Sequence, residues 1–267
     1  MSKIKELINI HLRNNISYRN AQNLAAEEII IKKIAASGLS EHVTLKGGIV
    51  MYNLTKSDRR VTQDIDFDLI RYSIDSESIN LFVEKMNRIN DGLEVSITGT
   101  PEDLHQEDYR GVRVKLLIND GVEKLKIKLD IGVHTYSAIE QNRIAFDFER
   151  NGKSISMKVN PPEQIVAEKL ISLARLGVIS TRYKDLYDLY YLIQICGVSN
   201  KKVSTILNMF FANSNKKPNN IVDFQNIIGD TLESENFGKE ASNPISKWID
   251  VDYPTIKDTI INFINNL

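Results

Sequence analysis

The sequence predicts an α+β protein with a small mixed β-sheet in its first half and a helical second half. Runs of β-branched and apolar residues, many of them alternating with polar residues, dominate residues 44–133 and indicate strands. From Pro161 and Pro162 onward, the apolar residues recur at helical spacing. The hydrophobic fraction of 42% and the charged fraction of 26% are those of a globular protein. We therefore predict an N-terminal domain over residues 1–159 and a helical domain over residues 160–267.

The predicted elements begin with a helix over residues 17–37, in which Ser17 is suited to cap the helix and Gly38 to end it. The strand candidates that follow are V-T-L, I-D-F-D-L, L-E-V-S-I-T, G-V-R-V-K-L-L-I and K-L-K-I-K-L-D-I-G-V. The last two flank Asn119-Asp120-Gly121, which is typical of a hairpin turn. In the second half, P-P-E-Q-I-V-A-E-K-L-I-S-L-A-R-L and Y-K-D-L-Y-D-L-Y-Y-L-I-Q-I predict helices. Strands that precede the helices, instead of alternating with them, favour the α+β class.

Composition excludes several classes of protein. The formal net charge is −1, so any contact with nucleic acid must use a local basic surface. Cys196 is the single cysteine, which excludes an intramolecular disulfide and fits a reducing compartment. The histidines lack zinc-ligand spacing. Because the sequence has no signal-peptide pattern and no run of 18 apolar residues, we expect a cytoplasmic protein without a membrane partner.

The stretch R-R-V-T-Q-D-I-D-F-D-L-I, residues 59–70, places three aspartates in a predicted strand, although aspartate is a poor strand former. Alternation puts Asp64, Asp66 and Asp68 on one face and the apolar residues on the other. A surface strand with a wet face is one interpretation. The same alternation puts Asp130 on the polar face of a later strand, and if the two strands are neighbours, Asp130 completes a three-carboxylate cluster with Asp64 and Asp66. Oxygen ligands of this kind suit Mg²⁺ or Mn²⁺.

Gly47 and Gly48 lie in V-T-L-K-G-G-I-V-M-Y-N-L, between a predicted strand and a predicted helix start. A tight turn at this point would present backbone N–H groups at a helix N-terminus, where the helix dipole favours a phosphate. The alternative is a turn whose only role is to connect the two elements.

The helical half places charged residues on faces that are otherwise apolar. Lys169 falls inside the apolar arc of residues 163–176, where its ammonium group must reach either solvent or an anion. In the next helix, Asp185 lies among apolar residues, Asp188 lies at their edge, and Arg182 projects close by. A structural Asp–Arg pair is one interpretation of this helix, and a functional aspartate is the other.

These motifs, in this order, resemble the nucleotidyltransferase superfamily of the DNA polymerase β type. The resemblance rests on K-G-G at residues 46–48, on R-x-T-x-D-x-D from Arg60 to Asp66, and on Asp130 in a later strand. The motifs P-P-E-Q-I-V-A-E-K-L and R-Y-K-D-L-Y-D-L-Y-Y-L are similar to those of the AbiEii/AbiGii toxin group, which includes the MenT toxins. The resemblance covers residues 42–195. One position departs from the pattern, because Ile49 stands where much of the superfamily has Ser or Thr.

The resemblance implies a nucleotidyltransferase fold whose helical domain completes the active-site cleft. It implies an enzyme that uses Mg²⁺ or Mn²⁺ to transfer NMP from an NTP to an acceptor hydroxyl. The metal ligands would be Asp64, Asp66 and Asp130, with Asp68 solvated beyond them. The further catalytic candidates are Lys169 and either Asp185 or Asp188. The candidates for nucleotide binding are Lys46, Gly47, Gly48, Arg60, Thr62 and Lys169, with Thr62 as a possible source of the hydroxyl that Ile49 lacks.

The likeness to the MenT toxins implies a tRNA 3′ end as the acceptor and a toxin of an abortive-infection system, restrained by a cognate antitoxin. Two alternatives stay open, which are transfer to a small molecule or a protein, and a nucleotide-binding module without turnover. An RNA acceptor requires a basic track. The candidates are Arg113, Lys115, Lys126 and Lys128 on predicted strands, and Lys201, Lys202, Lys216 and Lys217 in the helical half. Either set can equally be solvated surface.

Overall fold

A computed structural model describes residues 2–12, 16–104, 111–134, 138–149, 153–214 and 217–267. The chain divides into two compact units, Met1–Asn160 and Pro161–Leu267. The first unit combines a mixed sheet with helices and the second unit is helical, so the predicted α+β class is confirmed. No helix within the described ranges is both long and apolar enough to cross a membrane. Lys216 of the second basic set lies outside these ranges.

The α-helices described in the first unit are α1 (Lys3–Leu12), α2 (Tyr18–Ala36), α3 (Gly47–Thr55) and α4 (Ser76–Asn87). Helix α2 begins as the sequence predicts, because the hydroxyl of Ser17 accepts a hydrogen bond of 3.2 Å from the N–H of Asn20. This bond satisfies an amide that has no partner inside the helix. Gly38 follows the helix with a φ of +76°, a conformation that glycine adopts without strain.

The strands of the first unit form one sheet, which has eight strands within the described residues. They are β1 (Val43–Lys46), β2 (Asp64–Leu69), β3 (Glu94–Ile97), β4 (Glu102–Leu104), β5 (Gly111–Asn119), β6 (Lys124–Val133), β7 (Asn142–Phe146) and β8 (Ile155–Val159). Their order is β3-β5-β6-β2-β1-β8-β7, and β4 pairs with β5. Strands β2 and β6 are parallel, as are β1 and β8, and the remaining pairs are antiparallel. The acidic strand β2 therefore lies between β6 and β1.

One face of the central strands forms the core of the first unit. Ile65, Phe67 and Leu129 are at most 1% exposed, as the alternation in the sequence predicts. The ring of Phe67 stacks on that of Phe82 of α4, with 5.7 Å between the centroids. Burial of one phenylalanine side chain stabilises a fold by about 1.5–3 kcal/mol. This packing fixes which face of β2 is apolar, and it leaves the aspartates on the other face.

The second unit consists of α5 (Pro162–Leu176), α6 (Tyr183–Tyr190), α7 (Asn200–Asn213), α8 (Ile221–Glu233), α9 (Glu235–Ala241) and α10 (Tyr253–Asn265), as far as the structure describes it. Helix α6 continues into one π-helical turn, Tyr191–Ile195. The apolar arc predicted for α5 is buried, and α5 packs against α7 and α8. The fully buried Tyr187 of α6 donates a hydrogen bond of 3.0 Å to the carbonyl of Ala241, so α6 is anchored to the end of α9.

Candidate active site

A row of four charged residues crosses the polar face of the sheet, one from each of four adjacent strands. Asp66 of β2 is paired with Lys46 of β1 on one side and with Asp130 of β6 on the other. Asp130 is paired in turn with Arg113 of β5. The structure therefore brings Asp130 beside Asp66, on the face that also carries Asp64. The resulting order of charges across the sheet is Arg113, Asp130, Asp66 and Lys46.

Arg113 binds the carboxylate of Asp130 in a two-pronged ion pair. The Nε–Oδ1 distance is 2.7 Å and the Nη2–Oδ2 distance is 2.6 Å. The hydrogen bonds that Arg113 donates to Asp130 raise the pKa of Arg113 above its usual value, against the opposing effect of burial. Sequence analysis placed Arg113 only in a basic track, because alternation shows the face of a residue but not its partner on another strand. Both oxygens of Asp130 are thus engaged by the guanidinium group.

Asp68 is buried, and the expectation that it stays solvated is wrong. Its residue is 2% exposed, and its Oδ1 lies 2.9 Å from Nζ of Lys46. The register explains the burial, because Asp68 lies between Thr44 of β1 and Gly132 of β6 in the middle of the sheet. Lys46 is also buried, so this pair neutralises two charges that would be costly alone. The assignment of Lys46 to nucleotide binding stays a prediction.

The glycine pair lies directly against the acidic strand. Gly47 has a φ of +64°, and a Cβ at this position would collide with Oδ2 of Asp66. A Cβ on Gly48 would lie 2.5 Å from Oγ1 of Thr62. The start of α3 can therefore approach β2 only because neither residue has a side chain. This close approach is a reason for the glycines that does not depend on a phosphate.

The hydroxyl of Thr62 donates a hydrogen bond of 2.9 Å to Oδ1 of Asp64. Thr62 therefore orients a predicted metal ligand. Ile49 is fully buried, so the side chain at this position belongs to the core. The backbone amides of Gly47 and Gly48 remain the candidates for phosphate binding in this loop.

The chemistry of the aspartates fits a divalent cation, although their present geometry does not gather them around one. Within the part of the chain that the structure describes, no three Asp, Glu, His or Cys side chains converge as a metal-binding group. Asp64 and Asp66 are half-buried and offer the oxygen ligands that Mg²⁺ prefers. Asp130 lies next to Asp66 but is directed to Arg113. A third carboxylate ligand thus requires that Asp130 exchange Arg113 for the cation.

Glu27 is a residue that sequence analysis missed. It lies in α2 and is fully buried, and neither carboxyl oxygen has a hydrogen-bond partner among the described residues. Burial raises the pKa of Glu27 well above its usual value, and the negative charge of Asp64 raises it further, against the effect of Arg60. The signal in the sequence was the pair Glu27-Glu28 within the apolar stretch L-A-A-E-E-I-I-I.

In the second unit, the ammonium group of Lys169 lies between two aspartates. It forms ion pairs with Asp185 and with Oδ2 of Asp188, the latter at 2.8 Å. Asp188 is fully buried and also accepts a hydrogen bond of 3.0 Å from the indole N–H of Trp248. Asp185 is partly exposed and lines a small pocket with Arg182. The geometry separates two aspartates that the sequence left equivalent, because Asp188 is an internal anchor and Asp185 is accessible.

A mixed sheet that sets two aspartates of one strand beside an aspartate of its parallel neighbour, with a glycine pair against them, is the arrangement that the resemblance to nucleotidyltransferases predicts. The sequence model of the family described as "Nucleotidyl transferase AbiEii toxin, Type IV TA system" matches residues 29–261. The chain therefore belongs to the AbiEii family, as the resemblance in its motifs predicted, and it is the nucleotidyltransferase toxin of a type IV toxin–antitoxin system. This family implies an NTP substrate and a cognate antitoxin.

A comparison with curated proteins gives no match. Among solved structures, JHP933 from Helicobacter pylori is 13% identical over 94% of this chain and 92% of its own, with a TM-score of 0.45. A candidate nucleotidyltransferase from H. pylori is 16% identical over 91% and 93%, with a TM-score of 0.45. An antigenic nucleotidyltransferase-like protein from Paracoccidioides brasiliensis is 16% identical over 72% and 91%, with a TM-score of 0.38. The assignment to the family is carried by the sequence match and not by these structures.

Proposed function

We propose that this toxin transfers a nucleotide from an NTP to the hydroxyl group of a tRNA 3′ end in a Mg²⁺-dependent reaction. The observation that carries the proposal is the pairing of Asp66 with Asp130 on neighbouring parallel strands, with Asp64 on the same face. The tRNA acceptor is supported by the likeness of the sequence motifs to those of the MenT toxins. We place the reaction in the cytoplasm, as the toxic step of an abortive-infection response.

Asp64 and Asp66 would hold the divalent cation, and Asp130 would join them after it releases Arg113. When bound, Mg²⁺ neutralises charge on the triphosphate and favours ionisation of the acceptor hydroxyl. Thr62 would keep the carboxylate of Asp64 oriented through its hydrogen bond. These assignments use oxygen donors, which match the ligand preference of Mg²⁺.

In the transfer, the acceptor oxygen attacks the α-phosphorus, and the bond between that phosphorus and the oxygen bridging to the β-phosphate breaks. Pyrophosphate leaves with the electron pair of that bond. Asp130 would take the proton of the hydroxyl once Arg113 no longer engages both of its oxygens. The amides of Gly47 and Gly48, with the guanidinium group of Arg60, would bind the triphosphate oxygens. Lys46 would add positive charge to the site while it stays paired with Asp68.

We also propose that the Lys169 cluster takes part in the reaction and that Asp185 is its working aspartate. Lys169 and Asp185 both line the small pocket of the second unit, together with Ser172, Ser180 and Arg182. A phosphate group that reached Lys169 would replace the contact with Asp185, because Asp188 is buried and is also bound by Trp248. We also propose that residues 1–159 and 160–267 are two domains. Both would be needed for activity, because the acidic strand lies in the first and the Lys169 cluster lies in the second.

The experiment incubates the purified toxin with each α-³²P-labelled NTP, Mg²⁺ and total tRNA. The matched variants are Asp66→Asn and Asp258→Asn, which remove the same charge, the first from the sheet face and the second from an exposed position on α10. We expect label on tRNA with the wild-type protein and with Asp258→Asn. We expect a loss of at least about 10³-fold with Asp66→Asn and with excess EDTA, as for the removal of a principal electrostatic group.

Label that appears on a protein or a small molecule, and not on tRNA, would replace the proposed acceptor with one of the alternatives. NTP binding without transfer to any acceptor would identify a nucleotide-binding module. Equal labelling by Asp66→Asn and the wild-type protein would remove the acidic strand from the mechanism. Activity that survives excess EDTA would exclude the divalent cation.

A further inference from the structure

Strand β6 carries three lysines at alternate positions, Lys124, Lys126 and Lys128, which we call the lysine ladder. All three are exposed, whereas Leu125 and Ile127, which lie between them, and Leu129, which follows Lys128, are buried. Since alternate residues share a face, the ladder lies on the polar face of the sheet. The next residue on that face is Asp130, so the ladder leads along one strand to the carboxylates of the candidate site.

The register joins the ladder to the acidic residues without a break. Lys128 is paired with Asp64 of β2 on one side and with Lys115 of β5 on the other. One step further along β6, Asp130 lies between Asp66 and Arg113. A ligand that follows the ladder from Lys124 would therefore arrive at the carboxylates after three lysines spaced about 7 Å apart, from a rise of about 3.4 Å per residue.

The ladder lysines lack the close ion pairs that some other exposed lysines form, although Lys128 lies beside Asp64 and its charge acts on Glu102. None of its three ammonium groups has an ion-pair partner within the described residues. Other exposed lysines do have partners, as Lys115 has in Glu102 and Lys202 in Glu163. Like charges in line on one face repel one another, and an ordinary solvated surface mixes both signs. A chain with a net charge of −1 has thus placed a row of three lysines without close ion pairs beside its candidate active site.

We infer that the lysine ladder binds the phosphodiester backbone of the acceptor RNA and delivers its 3′ end to Asp64, Asp66 and Asp130; this inference rests on the proposed function. The occupant is a linear polyanion, because the positive groups form a single evenly spaced row that ends at the reacting carboxylates. The ladder contains no aromatic side chain on which a base could stack. It therefore recognises phosphates, and it fixes the position of the strand without reading its sequence.

The test compares two double variants that remove the same charge. Lys126→Gln/Lys128→Gln changes the ladder, and Lys201→Gln/Lys202→Gln changes the exposed pair at the start of α7. The probe is a fluorescein-labelled tRNA acceptor-stem minihelix with a single-stranded 3′ end. Its binding is followed by fluorescence anisotropy between 50 and 300 mM salt, and the logarithm of the affinity is plotted against the logarithm of the salt concentration. Each phosphate contact contributes roughly 0.7–0.9 to the slope of this plot. We expect the ladder variant to lose about 1.4–1.8 from this slope, and to bind at least about tenfold more weakly at low salt, as for two phosphate contacts. The Lys201/Lys202 variant keeps the wild-type slope.

A second readout separates the inference from the proposed function. In transfer assays the ladder variant has a raised KM for RNA, with an unchanged dissociation constant for the NTP.

Wild-type binding of the minihelix by the ladder variant would overturn the inference, even if transfer to tRNA is confirmed. Equal losses in both double variants would also overturn it, because binding would then follow net charge alone. Binding that depends on the ladder, in a protein that transfers no nucleotide to RNA, would support the ladder and refute the proposed reaction. If the ladder variant loses only its affinity for the antitoxin, the surface binds a protein and the inference is wrong.

Discussion

The two charged clusters of this protein neutralise their charges in different ways. On the sheet of the first unit, carboxylates on two central strands are flanked by Arg113 and Lys46 from the strands on either side. In the second unit, Lys169 of α5 is held between Asp185 and Asp188 of α6. The sheet cluster is shared among four strands, whereas the helical cluster joins two helices.

The difference shows where each unit can tolerate change. Arg113 and Asp130 are both partly exposed, so separating them does not leave a charge buried in the core. In the helical cluster, the buried carboxylate of Asp188 contacts the ammonium group of Lys169 and the neutral indole N–H of Trp248. Removing one member of a buried pair costs more than the pair contributes, because the remaining charge is left uncompensated. The variants below test this contrast, in order of decreasing expected effect.

Lys169→Met is expected to lower the free energy of unfolding by about 3–5 kcal/mol, because it removes the ammonium group that contacts the fully buried carboxylate of Asp188. Lys201→Met, on an exposed part of α7, is the control and should change stability by less than about 0.5 kcal/mol. Urea denaturation followed by circular dichroism measures both. A loss of less than 1 kcal/mol for Lys169→Met would mean, by the same principle, that the pair is not the main support of Asp188.

Gly47→Ala is expected to destabilise the sheet cluster by about 3 kcal/mol, through a positive φ and the collision with Asp66. Gly121→Ala is the matched control, because Gly121 has a φ of +83° but nothing within 4 Å of an added Cβ. The control should therefore lose only about 1–2 kcal/mol of stability, which is the cost of a non-glycine residue at a positive φ. Equal losses in thermal stability for the two variants would show that the contact between Gly47 and Asp66 is unimportant.

Asp188→Asn and Asp185→Asn should differ in their effects on stability and on transfer activity, although both remove the charge of a partner of Lys169. The first is expected to cost about 2–3 kcal/mol, because a buried charge-assisted contact is lost. The second is expected to cost less than about 1 kcal/mol, because Asp185 is partly exposed, while transfer activity falls sharply. Denaturation and labelling assays on both variants decide the assignment. A stable, inactive Asp188→Asn would reverse it.

Glu27→Met is expected to stabilise the first unit by about 1–2 kcal/mol near neutral pH, because the carboxyl is fully buried and has no hydrogen-bond partner in the described part of the chain. The pKa of Glu27 is raised in the folded state, so the wild-type protein loses stability as the pH rises through that value. The advantage of the variant should therefore grow from pH 5 to pH 8. Thermal melts across this range measure the effect, and a variant whose advantage shrinks with pH would contradict it.

Much of the fold was accessible from the sequence, for reasons that concern single elements. The cap at Ser17, the alternation through Ile65 and Phe67 and the helical period after Pro161 are local signals. The strands β4, β7 and β8 were not predicted, although they belong to the same sheet. E-D-L and N-R-I-A-F are short and carry little alternation, whereas I-S-M-K-V alternates but is only five residues long. Strand β4 pairs with β5, β8 with β1 and β7 with β8, and this pairing is not encoded within the segments themselves.

The sequence by itself determined the α+β class, the family and the faces on which Asp64, Asp66 and Asp130 lie, because side-chain direction follows from the period of a strand. Only the tertiary structure decided the partners. It paired Arg113 with Asp130, buried Asp68 with Lys46, separated Asp185 from Asp188 and enclosed Glu27. The physical reason is that a partner depends on the register between strands or on the packing of helices, which joins residues that are far apart in the chain. The lysine ladder shows both contributions, since alternation gives its spacing and the pairing of β6 with β2 gives its end point.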